Sequence, residues 1–333
     1  MSDADDLVAD IEALEAKLAE AKASITRRFI GQEQVVDLTL TALLCGGHGL
    51  LIGLPGLGKT RLVETFSTVM GLNGNRIQFT PDLMPADILG SEVLDTAPDG
   101  SRSFRFIQGP IFCELLMADE INRASPRTQS ALLQAMQEGF VTIAGHAHPL
   151  PTPFHVLATQ NPLEQEGTYP LPEAQLDRFL MHVRIGFPDA AVERKILLQA
   201  RGEALHGEAK PEQRVSQQAI FAARREILGL YMADAVEEYL VQLVMASRTP
   251  AKYDLELAEW IAYGASPRGT IALDRCARAH AWLAGRDFVS PEDIQAVLFD
   301  VLRHRIILSF EAEAAGVDQD RVVQRILDVV AVA

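Results

Sequence analysis

The octapeptide GLPGLGKT, from Gly53 to Thr60, follows the apolar run HGLLIG and opens the helical pattern KTRLVETFSTVM. No other feature of the chain limits its fold so strongly. The pattern G-x-x-x-x-G-K-[ST] needs a strand before it and a helix after it, and both are legible here. Its glycines let backbone N–H groups turn inward around phosphate oxygens, and the positive end of the following helix adds a favourable field. Lys59 is then placed to reach the β- and γ-phosphates of ATP, and the Thr60 hydroxyl to ligate Mg²⁺. Gly53, Pro55, Gly56, Leu57, Gly58 and Arg61 complete the candidate binding segment. A glycine-rich turn alone can be merely structural; strand, loop and helix in this order point to a nucleotide.

The rest of the chain fits that beginning. From about residue 31 to residue 187, apolar runs rich in β-branched residues alternate with helical patterns. HGLLIG, RIQFT, ELLMAD, FHVLAT and MHVRIGF read as strands buried on both faces, as in a parallel sheet flanked by helices. Ahead of them, Leu7, Ile11, Leu14, Leu18, Ala21 and Ile25 recur at steps of four and three, which puts one apolar stripe on a helix. Three heptads could open a coiled coil, but a helix laid against the following domain is expected. After Pro188 the strand signals stop. SQQAIFAARREIL, DAVEEYLVQLVMAS, SPRGTIALDRCARAHAWLAG and SPEDIQAVLFDVLRHRI show helical periodicity, and the last two begin with Ser-Pro, a cap followed by the residue favoured at the first helical position. The expected organisation is an N-terminal helix at 1–28, an α/β nucleotide-binding domain at 29–187 and an all-helical domain at 188–333.

Two inserts interrupt the α/β pattern. EVLDTAPDGSRSFRF suggests a hairpin turning around Asp99 and Gly100, and GFVTIAGHAHPLPTPF carries the alternating Val141 and Ile143 before a turn-rich tip. His146 and His148 at that tip lack a third ligand nearby, so solvent exposure is expected rather than a metal.

About sixty residues beyond the phosphate loop stands ELLMADE, an apolar run that delivers Asp119 to the C-terminal edge of a buried strand, where ligands bind in open α/β sheets. Asp119 is placed to hold Mg²⁺ through water, and Glu120 to polarise an attacking water as general base. The pair could instead cap the next helix, yet a buried strand seldom ends in two acids without a cation to face. The strand FHVLATQN ends in Asn161, whose neutral amide can bridge the γ-phosphate and the water; simple turn chemistry is the alternative. Arg178, in LPEAQLDRFL, can stabilise charge on the transferred phosphoryl group or be a surface ion-pair residue.

Charge and composition exclude other classes. A formal net charge of −15 weighs against a general nucleic-acid binder, whose affinity comes from Lys and Arg neutralising phosphates. The compact basic clusters, Arg27–Arg28 and Arg303–His304–Arg305, are expected to be ordinary solvated or interface patches. No apolar run is long enough for a membrane span, and the start MSDADDLVADIE is acidic where a secretory signal is basic, so a cytoplasmic location is expected. Cys45, Cys113 and Cys276 are far apart in sequence and form no CxxC pair; they read as small core residues rather than a disulfide framework or zinc site.

The stretches GLPGLGKT, GPIFCELLMADEINRASPRTQSALLQAMQEG and VLATQNPLEQEGTYPLPEAQLDRFL closely resemble the MoxR family of AAA+ ATPases, most densely from Phe29 to Phe187 and more loosely to the C-terminus. The resemblance implies a P-loop AAA+ α/β fold with a helical lid domain. It implies that Phe29, Ile30, Gly31 and Gln32 lie against adenine, that Asn161 is the sensor-one residue, and that Arg178 is an arginine finger acting on ATP held by the neighbouring subunit. Arg268, in GASPRGT, matches the sensor-two arginine that reports the γ-phosphate to the lid, and Arg123 a second interface arginine. The inserts correspond to a helix-two insert and a hairpin before sensor one, which in related rings project toward the pore or a client. The departures are small, such as Cys113 within GPIFCELL. The resemblance further implies a hexamer, a protein client or metalloenzyme complex that is remodelled in chaperone-like fashion, and a partner with a von Willebrand factor A domain.

Three readings compete with that one. A magnesium or cobalt chelatase motor shares the inserts. A helicase-like motor is disfavoured by the acidic charge and the lack of interleaved basic and aromatic residues. A slow nucleotide-gated switch has no need of the base and finger that Glu120 and Arg178 supply.

Overall fold

The structure, a computed structural model, describes residues 2–96, 102–164, 166–207 and 210–332. The chain opens with helix α1 (Ser2–Arg28), then α2 (Glu33–Leu44), β1 (Gly49–Gly53), α3 (Lys59–Val69), β2 (Gly74–Gln78), α4 (Pro85–Leu89), the strands β3 (Gly90–Thr96) and β4 (Arg102–Gln108), and β5 (Leu115–Asp119). There follow α5 (Pro126–Glu138), β6 (Phe140–Ile143), β7 (His146–Pro149), β8 (His155–Gln160), the short α6 (Glu173–Leu176), β9 (Met181–Ile185) and α7 (Ala190–His206). Five strands form one parallel sheet in the order β2-β5-β8-β1-β9. Strands β1, β5 and β8 sit inside it, mostly apolar and buried on both faces, with polar residues such as Asp119 and Thr159 at their C-terminal ends.

The two edge strands depart from the sequence reading. In β2 only Ile77 is buried, and Arg76 and Gln78 stand exposed on the other face; in β9 Met181, Val183 and Ile185 are buried and alternate with His182 and Arg184. An edge strand has a neighbour on one side only, so polar residues are tolerated there. The polar residues of β2 lie beside the end of β5, next to the acids that the sequence had marked, because Gln78 is in register with Asp119.

Leu14, Leu18, Ala21 and Ile25 of α1 are buried where that helix crosses α2, α3 and, further on, the lid helix α11 (Pro267–Leu283). The side chains of Leu7 and Ile11 lie outside the described residues. The inserts form two antiparallel hairpins, β3–β4 and β6–β7. The proposed turn at Asp99 and Gly100 lies outside the described residues, whereas the β6–β7 turn uses Ala144 and Gly145, both at positive φ. The hairpins touch: His148 stacks on Phe106 of β4 with ring centroids 3.9 Å apart. His148 is therefore half-buried, contrary to the expected solvent exposure, while His146 is exposed.

Beyond α7 the chain is helical: α8 (Gln217–Gly229), α9 (Asp234–Arg248), α10 (Leu255–Trp260), α11, α12 (Pro291–Leu302), α13 (Phe310–Ala314) and α14 (Gln319–Val329). Ser266 caps α11, and Ser290 forms a capping box at α12. Short pairings, Tyr231–Met232 with Phe288–Val289 and Ile261–Tyr263 with Ile307–Leu308, tie the connecting loops.

Arg303, His304 and Arg305 form the seam between lid and sheet and are all buried, where a solvated or interface patch was expected. Arg303 donates to Asp320 at 2.8 Å and to the His182 carbonyl at 2.8 Å, and His304 bonds the Phe179 carbonyl at 3.0 Å. Cys113 and Cys276 are core residues. Cys45 is only partly buried and, although distant in sequence, lies against Cys276, whose thiol is pushed up by burial and by that neighbour. No described helix is long and apolar enough to cross a membrane.

Candidate nucleotide site

The phosphate loop lies between β1 and α3. Gly56 and Gly58 take φ of 85° and 76°, which side chains rarely adopt. A Cβ on Gly58 would also come within 3.2 Å of the buried Phe29 ring, so this glycine sets the distance between the loop and the segment that follows α1. Lys59 is half-buried and bonds the carbonyls of Gly53 and Leu54, the latter at 3.1 Å. Burial lowers its pKa, and the nearby Asp119, Glu120 and Glu164 oppose that shift. Those acids thus share the ammonium's field. Thr60, next in α3, is half-buried.

Asp119 ends β5 in a buried position. Its Oδ1 accepts from Thr159 Oγ1 at 2.5 Å and its Oδ2 from Arg76 at 2.6 Å. Glu120 follows in the left-handed region, φ 56° and ψ 50°, with its N–H donating to Thr159 Oγ1 at 2.9 Å. That backbone turn sends its carboxylate to Gln78 Nε2 at 2.7 Å and Arg123 Nη1 at 3.1 Å, both on Oε2. Arg123 also pairs with Glu164 at 3.4 Å. Asn161 is buried just after β8, and its Oδ1 accepts from Leu163 N–H at 3.1 Å. The turn alternative is thus present, and it leaves the amide NH₂ as the group for a ligand.

Beside the loop is a cavity of about 280 Å³, lined by Ile30 and Gln32 on one wall, Pro55 to Gly58 and Arg61 below, and Glu193, Ile196, Gln199 and Ala200 of α7 on the other. Gly31 is at φ 74°, and a Cβ there would lie 2.2 Å from Val192 of α7. The helix approaches so closely only because residue 31 is glycine. Gln32 fixes the wall by donating to the Gly186 carbonyl at 3.0 Å.

Arg178 and Arg268 are not in this constellation. Gly49 at the start of β1 is in register with Met181 at the start of β9, so Arg178 precedes the sheet's N-terminal edge while the phosphate loop leaves its C-terminal edge. The five residues of β1 put roughly 16 Å of strand between those edges, at about 3.3 Å each. Arg178 donates to the Leu133 carbonyl at 2.8 Å. Arg268 lies beside it, 3.9 Å from Asp177, which also accepts from Ser266 at 2.9 Å and from Arg305 at 2.8 Å.

The sequence brought out Gly53–Thr60, Asp119, Glu120 and Asn161, which the fold gathers at one edge, and Arg178 and Arg268, which it gathers at the other. It missed Arg76, Gln78, Thr159 and Asp177. The polar alternation in RIQ, ending in line with Asp119, was the one available signal for the first two.

Comparison with known proteins gives a consistent picture. The family described as "ATPase family associated with various cellular activities (AAA)" matches residues 48–181, and the "AAA lid domain" matches residues 256–326. Chaperone MoxR1 of Mycobacterium tuberculosis is 41% identical over 98% of this chain and 84% of its own length. Protein MoxR of Paracoccus denitrificans is 34% identical, covering 88% of this chain and 89% of its own. A crystal structure of a Cytophaga hutchinsonii protein assigned as an ATPase superposes with a TM-score of 0.92 at 40% identity, with all of both chains covered.

Proposed function

The chain belongs to the MoxR family of AAA+ ATPases and is an ATP hydrolase, and from that premise we propose that it hydrolyses ATP at the subunit interfaces of a hexameric ring to remodel or activate a partner protein. The observation that carries this reading is the separation of its arginines from its phosphate loop: Arg178 and Arg268 stand at the opposite edge of the sheet, which supports a role for them toward ATP held by the next subunit.

The residues divide the work as follows. The N–H groups of Gly56 to Thr60 and the Lys59 ammonium hold the phosphates, Ile30, Gln32 and Arg61 bound the base side of the pocket, and Gly31 between the first two admits α7 against it. Thr60 and Asp119 offer Mg²⁺ hard oxygen donors, and among the described residues no cluster of three or more His, Cys, Asp or Glu forms an all-protein cage. That fits an ion which keeps waters and takes phosphate oxygens, and when bound it neutralises charge on the β- and γ-phosphates. Gln78 and Arg123 occupy Oε2 of Glu120, leaving Oε1 to orient the attacking water and take its proton. The Asn161 amide donates to the γ-phosphate. Arg178 and Arg268 of the adjoining subunit neutralise charge as the phosphoryl group leaves.

The units are residues 1–28, 29–187 and 188–333. ATP turnover at the subunit interface moves the lid and the paired hairpins that meet the client. A von Willebrand factor A-domain protein is the partner expected beside the client, in the cytoplasm. If the site spans subunits, the ATPase rate per subunit rises with protein concentration until rings are complete. A rate per subunit that stays flat across dissociation and assembly would contradict the shared site.

A further inference from the structure

Asp119, at the end of β5, meets a cation that the phosphate loop does not supply. Arg76 stands on the face of β2 opposite the buried Ile77, in register with Met117. Its Nη2 donates to Asp119 Oδ2 at 2.6 Å and to Gln78 Oε1 at 3.1 Å. Both hydrogens of that nitrogen are engaged, so the guanidinium is held in place. Asp119 thus turns Oδ1 to the buried Thr159 hydroxyl and Oδ2 to the half-exposed Arg76.

A carboxylate has lone pairs for further donors, and the bonds alone leave room for an ion beside Asp119. The charges oppose it. A guanidinium keeps its proton at any ordinary pH, and the Lys59 ammonium already lies in the field of the same carboxylate. A divalent ion is then a third cation on Asp119, repelled by Arg76. Arg76 is also the cation free to swing away, since its side chain is 48% exposed on an edge strand. A cavity of about 260 Å³ bounded by α3, β2 and β5 is lined by both Arg76 and Glu64, so a second carboxylate lies within the same hollow.

We propose that Arg76 is a resident counter-ion that stands in for Mg²⁺ at Asp119, holding the carboxylate while the site is metal-free and yielding it when the ion arrives with nucleotide. Two consequences follow from the charge. Metal-free ATP meets a neutralised Asp119 rather than a bare one, and Mg²⁺ gains less from Asp119 than it would from an unpaired carboxylate. Arg76 therefore sets how strongly ATP affinity depends on Mg²⁺. This inference rests on the assignment of Asp119 to Mg²⁺ given above.

The test is calorimetric titration of the full chain with ATP, in excess Mg²⁺ and in EDTA, for wild type, Arg76→Gln, Arg76→Lys and Arg123→Gln. The readout is the affinity in Mg²⁺ divided by that in EDTA, a coupling between ion and nucleotide that a general loss of packing leaves unchanged. Arg76→Gln should raise this ratio by about threefold to tenfold, because metal-free ATP then faces an uncompensated carboxylate and Mg²⁺ an unpaired one. Arg76→Lys keeps the charge and should stay within about twofold of wild type. Arg123→Gln, which removes a charge bonded to Glu120 and Glu164 instead, should also stay within about twofold. A ratio unchanged in Arg76→Gln, or raised equally by Arg123→Gln, overturns the assignment of Arg76. A wild type whose ATP affinity is the same in Mg²⁺ and in EDTA overturns the reading of Asp119 instead, and one that binds ATP in neither overturns the nucleotide reading itself.

Discussion

Glu120 holds a backbone conformation that costs on the order of 1–3 kcal/mol for a residue with a side chain, and it persists because its surroundings fix it. Thr159 ties the N–H of Glu120 and the carboxylate of Asp119 to one hydroxyl, so the two acids are set relative to each other by a single side chain. Glu120→Gln keeps the shape and one acceptor oxygen but cannot take a proton. ATP affinity should stay within about twofold of wild type while turnover falls by about a hundredfold to a thousandfold, checked by equilibrium binding and steady-state phosphate release. Near-normal turnover would remove Glu120 from the role of base. The acids and the phosphate loop were legible because their chemistry is local: a few residues at fixed spacing between a strand and a helix. Gln78, Thr159 and Asp177 were not, since each matters through a partner 42, 39 or 128 residues away.

Helix α7 shows what periodicity can miss. None of its residues is fully buried, and Leu197, Leu198 and Leu205 are exposed, so its apolar residues mark no single face in the sequence. What holds it is specific: the Asp189 cap, the close contact of Val192 with Gly31, and the Arg61–Glu203 pair. The strands were found, but edge and centre were not told apart, because sheet order depends on crossovers that apolar runs do not encode. At the lid seam, Arg305 has a side chain only 3% exposed and takes Asp177 as its counter-charge. Asp177→Asn keeps the volume and removes the charge, leaving a buried guanidinium uncompensated. A loss of about 3 kcal/mol in urea unfolding is expected. A change below about 0.5 kcal/mol would mean that the backbone acceptors of Phe179 and Leu180 suffice to dock the lid.

For the molecule as a whole, the acidic charge, the α/β core and the helical lid were all readable from composition and pattern. The position of the lid was not. Ser266, Arg268 and Arg305 converge on Asp177, so the lid is fastened beside Arg178 at the edge of the sheet remote from the phosphate loop. In the ring proposed above, a subunit built this way would carry two half-sites on opposite sides, one offering the phosphate cradle and base, the other two arginines, and ring closure would bring unlike halves together. The most direct measurement is the ATPase rate of Lys59→Ala and Arg178→Ala proteins, alone and combined in rings shown to contain both. Each is expected to be inactive alone, and the mixture to recover part of the wild-type rate, because the first lends its Arg178 to ATP bound by the second. No recovery in such mixed rings would contradict a site shared between subunits.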